Sequence, residues 1–130
     1  MILTLPQIEG KIREFAAIIK APEEFIPTFG VSTETGLPHI EIDERFYSLI
    51  VSEKGLEISR DTFEDPDELL FNVLHDISFS MASELVFEDG KTQNYRERFF
   101  QEQKNIISKI NLFYMEKVKL TQDKLSTEFV

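Results

Sequence analysis

The 130-residue chain contains no cysteine and no tryptophan, with only five glycines and five prolines. Lack of cysteine excludes disulfides, thiolate metal sites and cysteine nucleophiles, and suits a reducing compartment. No stretch approaches the ~20 apolar residues needed to cross a bilayer. The first five residues lack the basic opening of a secretory leader, and Lys11, Arg13 and Glu14 interrupt the apolar positions that follow. These absences predict a cytoplasmic protein with no membrane partner. Residues 1–130 are long enough for one domain that buries roughly two thirds of its unfolded surface.

Positive charge is scarce where negative charge is dense. The net charge is −10, and residues 34–90 hold fifteen acids against Arg45, Lys54 and Arg60 alone. Residues 91–130 reverse the balance, with eight bases and five acids. So acidic a centre repels phosphates, which disfavours direct nucleic-acid binding, and attracts a basic protein surface. The bland alternative is a solvated face that maintains solubility.

The hydrophobic period changes along the chain. Ile8, Ile12, Phe15 and Ile19 predict a helix over residues 5–20, opened by Thr4 and Pro6 and ended by Ala21-Pro22. Residues 22–38, with three prolines and two glycines, read as a loop. A period of two then predicts strands from His39, over Phe46–Ser52 and over Leu56–Phe63, with Glu53-Lys54-Gly55 as a hairpin turn. Regular alternation in the last strand sets Leu56, Ile58, Arg60 and Thr62 opposite Glu57, Ser59, Asp61 and Phe63. Asp65 as cap, Pro66 at the first turn and Glu68 in a capping box then announce a helix. Its predicted apolar face is Leu69, Leu70, Val73, Leu74, Ile77, Met81 and Leu85. Glu88-Asp89-Gly90 stops it. A third helix, from about Thr92 to Ile110, packs through Tyr95, Phe99, Phe100, Gln103, Ile106, Ile107 and Ile110. Asn111 breaks the pattern before a weaker fourth helix that frays near Phe129. The expected fold is α+β, in the order α-β-β-β-α-α-α, with a three-stranded antiparallel meander under helices on one face.

No constellation in this pattern demands catalysis. G-x-S-x-G, P-loop, G-x-G-x-x-G and H-E-x-x-H motifs are all missing. His39, Glu41 and Asp43 share a strand face, but ordinary wet-face alternation explains them without a metal. His75 and Asp76 are helix neighbours pointing about 100° apart, which argues against an acid–base pair. No catalytic residue, metal or cofactor is expected. Asp76, Ser80 and Glu84 form one stripe beside the apolar face. With Arg60, Arg96, Arg98 and Gln103 they are candidates for a partly buried polar network that sets helix register.

These residues also carry a resemblance. The run from Glu53-Lys54-Gly55 through Glu57, Arg60 and Thr62 to Asp67-Glu68-Leu69-Leu70, Asp76 and Phe79-Ser80-Met81-Ala82 resembles the Immunity protein 63 family. Tyr95-Arg96, Arg98, Phe100, Gln103 and Lys109-Ile110-Asn111 continue the pattern, so that it spans about residues 39–115. Phe71-Asn72 replaces a Tyr-Trp-like pair, and Asn94 stands where an acid is usual. The resemblance implies a small cytoplasmic antidote that binds the active domain of a polymorphic toxin in interbacterial competition. It implies occlusion rather than catalysis.

The candidate partner-binding residues are Glu41, Asp43, Glu57 and Asp61, with Tyr47 or Phe63 as aromatic anchor, facing a basic toxin, often a nuclease. The first alternative is a general interaction module or oligomeric subunit that uses apolar helix faces. The second is an enzyme or ligand-binding domain with a deep polar pocket. Oligomeric state stays open, because the same amphipathic faces can close a core or a dimer.

Overall fold

A computed structural model describes residues 3–88 and 94–128. It is an α+β arrangement of four helices and a four-stranded mixed sheet. Helix α1 spans Leu5–Ile19; Thr4 opens it as expected, and in addition closes a capping box with Gln7. Lys20 ends the helix in the left-handed region, its N–H returning to the carbonyls of Ala16 and Ala17. Ile8, Ile12, Ala16 and Ile19 are its buried stripe.

The segment expected to be a plain loop is more structured than its prolines suggest. Glu23–Phe25 form a 3-10 turn, and Thr28–Phe29 form strand β1. β1 pairs parallel with β2, His39–Ile42, through Thr28 with His39 and Phe29 with Ile40. The predicted three-stranded antiparallel meander is therefore one strand short, and the order gains a strand after α1. Two residues are too few for any periodic signal, and the intervening turn carries the Pro and Gly that mark loops.

β3, Tyr47–Glu53, pairs antiparallel with β2 on one side and with β4, Leu56–Phe63, on the other. Lys54 and Gly55 join β3 to β4, with φ of 52° and 80°. Positive φ at both central residues matches the right-handed twist of a tight hairpin. Glu34 fastens the preceding loop to this turn by accepting the Gly55 N–H at 2.7 Å.

Helix α2, Pro66–Glu88, starts where Asp65 accepts the Asp67 N–H at 2.9 Å. Its predicted apolar face is buried at Leu69, Leu70, Val73, Leu74 and Ile77, while Met81 is partly buried. Leu85 is a correction: it is 48% exposed, and Ala82 and Val86 take the inward positions. A straight helix drifts against any short repeat, so by the sixth turn the inward face has rotated past Leu85. The predicted start of the third helix at Thr92 and the stop at Asp89-Gly90 lie outside the described residues. α3 spans Tyr95–Ser108 and α4 spans Leu112–Glu128. The break falls at Asn111, whose side chain accepts the Phe113 N–H at 2.7 Å and so caps α4. The expected fraying near Phe129 also lies outside the described residues.

The sheet face bearing Ile40, Ile42, Tyr47, Leu49 and Phe63 joins α1 and α2 in the main apolar core. A second cluster, Leu74, Ile107, Tyr114 and Val118, holds α3 and α4 against the far side of α2. Each fully buried aliphatic side chain contributes about 1.5–3 kcal/mol. The helices are thereby gathered on one side of the sheet, and the other side bears the polar alternates.

Candidate functional site

The polar face is built by strand register. Glu41 pairs with Ser48, and His39 pairs with Ile50, which in turn pairs with Arg60. On β4, Ser59 pairs with Val51 but Glu57 pairs with Ser52, which leaves Ile58 as an extra, unpaired residue. This β-bulge turns Glu57 to the same face as Arg60, against the simple alternation. The Arg60 guanidinium then stands 2.8 Å from Glu57 and 3.6 Å from Glu41. That contact holds the Glu57 carboxyl below its ordinary range, first through the hydrogen bond and then through charge. Asp43 sits in the turn between β2 and β3, where its carboxylate accepts the N–H groups of Arg45 and Phe46 at 2.8 and 2.7 Å. Those two bonds lower its pKa and fix its direction.

Of the six candidate contact residues, Glu41, Asp43 and Glu57 thus gather on or beside one face. Asp61 pairs with Leu49 and lies on the opposite, helix-side face of β4. Tyr47 is 2% exposed and exchanges hydrogen bonds with the backbone of Leu3, N–H to hydroxyl at 2.7 Å. It is a core residue, out of reach of a partner. Phe63 is half-buried against the same core. The apolar groups that β4 does expose are Leu56 and Ile58, at 69% and 57%. They escape the sequence reading because only the bulge distinguishes them from ordinary sheet residues.

His39, expected on the wet side, is buried under this face, with no partner for Nδ1 among the described residues and with Nε2 3.8 Å from Glu41. Asp43 has turned to cap backbone. Among the described residues no group of three or more His, Asp or Glu side chains is placed to hold a metal ion. His75 and Asp76 do approach, with Nδ1 3.8 Å from an Asp76 carboxylate oxygen.

The expected polar network is distributed over several places. Arg60 belongs to the sheet face. Asp76 is exposed on α2, and Glu84 borders a surface groove. Arg96 donates to the Leu125 carbonyl at 2.9 Å and lies over the Phe100 ring, and Arg98 is half-buried on α3. Gln103 is the member that is buried with polar partners. It donates to the His75 carbonyl and to the Ser78 hydroxyl, each at 3.3 Å, and accepts from Gln122 at 3.1 Å. A neutral Ser78–Gln103–Gln122 chain therefore joins α2, α3 and α4 where charges were expected. Neutral amides suit that position, since a buried ion costs several kcal/mol to desolvate.

One further surface feature lies outside all sequence expectations. Phe79, Ser83 and Phe87 follow each other at helical spacing on α2 and, with Ser80, Glu84, Glu24 and Phe25, line an open groove of about 570 Å³. Phe87 is 79% exposed. The i, i+4, i+8 spacing of these three is visible in the sequence, but the richer apolar stripe beside it draws attention away.

Among the described residues no helix is long and apolar enough to cross a membrane. What the surface offers is exposed carboxylates on the sheet together with exposed apolar side chains. No curated protein and no solved structure matches the chain. The family model described as Immunity protein 63 matches residues 43–124, taking in β3 and β4, all of α2 and α3 and most of α4. That match covers more than half of the sequence and contains the strand hairpin, the bulge and the buried glutamine chain, so this protein belongs to the Immunity protein 63 family.

Proposed function

We propose that the protein binds a cognate polymorphic toxin with a basic, nuclease-type active domain and neutralises it in the cytoplasm by occluding the active site. The observation that carries this reading is the placement of Glu41 and Glu57 around Arg60, with Asp43 held at the adjoining turn. Carboxylates fixed in direction before binding lose little entropy on meeting a cationic surface. They also steer encounter, which can reach ~10⁸–10⁹ M⁻¹s⁻¹ at low salt. Slow release needs apolar anchoring as well, and Ile58, 57% exposed at the bulge of β4 between Glu57 and Arg60, supplies it. In this reading the chain acts as one unit and performs no reaction of its own.

Growth protection tests it. Co-expression with the toxin domain encoded beside it should restore growth. The double substitution Glu41→Lys, Glu57→Lys should weaken the complex by at least ~100-fold and flatten its salt dependence. Asp61→Lys, on the other face, should leave it nearly unchanged. Equal losses from both would remove the polar sheet face from the interface.

A specific observation favours a second reading, an interaction module working through apolar helix faces. Leu112, Phe113 and Leu120 stand largely exposed on α4. An interface there strengthens with added sulfate, whereas an acidic one weakens with salt.

A further inference from the structure

The groove between the 3-10 turn and α2 joins two properties, an aromatic wall and an anionic rim. Its wall is aromatic: Phe79 and Phe87 lie eight residues apart on α2, about 12 Å along the helix axis, and both are exposed. Between them stands Ser83, too small to fill the space, with Phe25 contributed from the turn. Its rim is anionic: Glu24 and Glu84 border it from opposite elements, and neither enters an ion pair among the described residues. On the polar sheet face, by contrast, Arg60 already neutralises part of the charge of Glu41 and Glu57.

Exposed rings beside unpaired carboxylates select a flat cation. A guanidinium can stack on phenylalanine faces while its N–H fork points at carboxylates, and it is more weakly hydrated than an ammonium. A neutral apolar ligand would leave the rim carboxylates desolvated and unpaired, at a cost. A second copy of this chain is disfavoured by like charge, since each copy carries −10. We infer that this groove receives an arginine side chain projecting from the toxin, as a docking point separate from the polar sheet face. The identity of the partner rests on the toxin-binding reading, whereas the chemistry of the groove does not.

The probe is the peptide acetyl-Leu-Arg-Leu-amide, titrated into ¹⁵N-labelled full-length protein, with the citrulline peptide as an uncharged control of the same shape. Arginine should shift the amides of Ser80, Ser83 and Glu84 and move its own side-chain protons upfield under the ring currents. Citrulline should bind at least tenfold more weakly. E24Q with E84Q should reduce arginine binding to the citrulline level, and Phe87→Ala should weaken both peptides. All these side chains are on the surface, so the variants should fold. E24Q with E84Q should also weaken the toxin complex at least tenfold. Equal binding of the two peptides, shifts centred away from α2, or toxin affinity untouched by the double variant would each overturn the inference. Failure of the toxin reading would look different: a wild-type chain that takes the arginine peptide in the groove yet gives no growth protection.

Discussion

Glu57 and Arg60 lie three residues apart on one strand, yet they share a face, with guanidinium nitrogen and carboxylate oxygen 2.8 Å apart. In a regular strand, positions i and i+3 point to opposite sides. Ile58, the extra residue of the bulge, reverses the phase between them. The bulge therefore decides which acids of β4 stand together.

Removing the cation should be visible in the titration of its neighbour. Glu57 is held below the ordinary carboxylate range mainly by its bond to Arg60, so Arg60→Met should return its pKa towards 4.5. A depressed folded pKa contributes stability above the unfolded value, lost as pH falls through the folded one. The acid limb of the stability curve should therefore flatten in the variant. Side-chain carboxyl NMR reads the shift directly, and an unmoved Glu57 would mean that the ion pair is not formed in solution.

The buried amide chain should be costly to interrupt. Gln103→Ala leaves a cavity and strips partners from Ser78 and Gln122, for a loss of about 2–4 kcal/mol in urea unfolding. Gln103→Leu refills the space but not the bonds, and should lose about 1–2 kcal/mol. A loss below ~0.5 kcal/mol in both would show that these bonds exchange freely with water.

Tyr114 on α4 donates its hydroxyl to Asp67 in the first turn of α2, which ties the last helix to the start of the longest. Tyr114→Phe should lose about 1–2 kcal/mol at neutral pH, as for a partly exposed hydrogen bond to a charged acceptor. Burial first, then the Asp67 bond, push the phenol pKa above its ordinary 10.0. A raised folded pKa contributes stability that is complete below the unfolded value and is lost as pH rises towards the folded one. The gap between wild type and variant should thus stay level to about pH 10 and close above it. A gap that stays fully open well above pH 10 would reject the assigned bond.

His39 should be a place where a hydrophobic substitution helps. Its Nδ1 is buried with no partner among the described residues, and such a group costs ~1–3 kcal/mol. His39→Leu removes the orphan at similar volume, and should raise stability by about 0.5–2 kcal/mol in thermal unfolding. Destabilisation by that amount would indicate a water or partner bound at Nδ1.

How much of this was legible in the chain depends on how local the signal is. The capped starts of α1 and α2, the stripe of Ile8, Ile12 and Ile19, the Lys54-Gly55 turn and the Asn111 break are each written within a few residues. Local geometry and solvent preference suffice to produce them. The family pattern is likewise a property of residue order, and so is the concentration of acids in residues 34–90.

Tertiary structure decided what those elements face. β1 has only two residues and no period, and exists because His39 and Ile40 offer it an edge. Tyr47 became core because Leu3 from the chain start meets its hydroxyl, forty-four residues away. Gln103 became the buried polar residue because Ser78 and Gln122 converge on it from two other helices. The bulge at Ile58 sent Glu57 and Asp61 to different sides. The sequence alone determined element types, charge and family, which depend on neighbours along the chain. Which acids act together, and where aromatic and anionic groups meet, depends on contacts closed across long loops, whose register and packing no local pattern records.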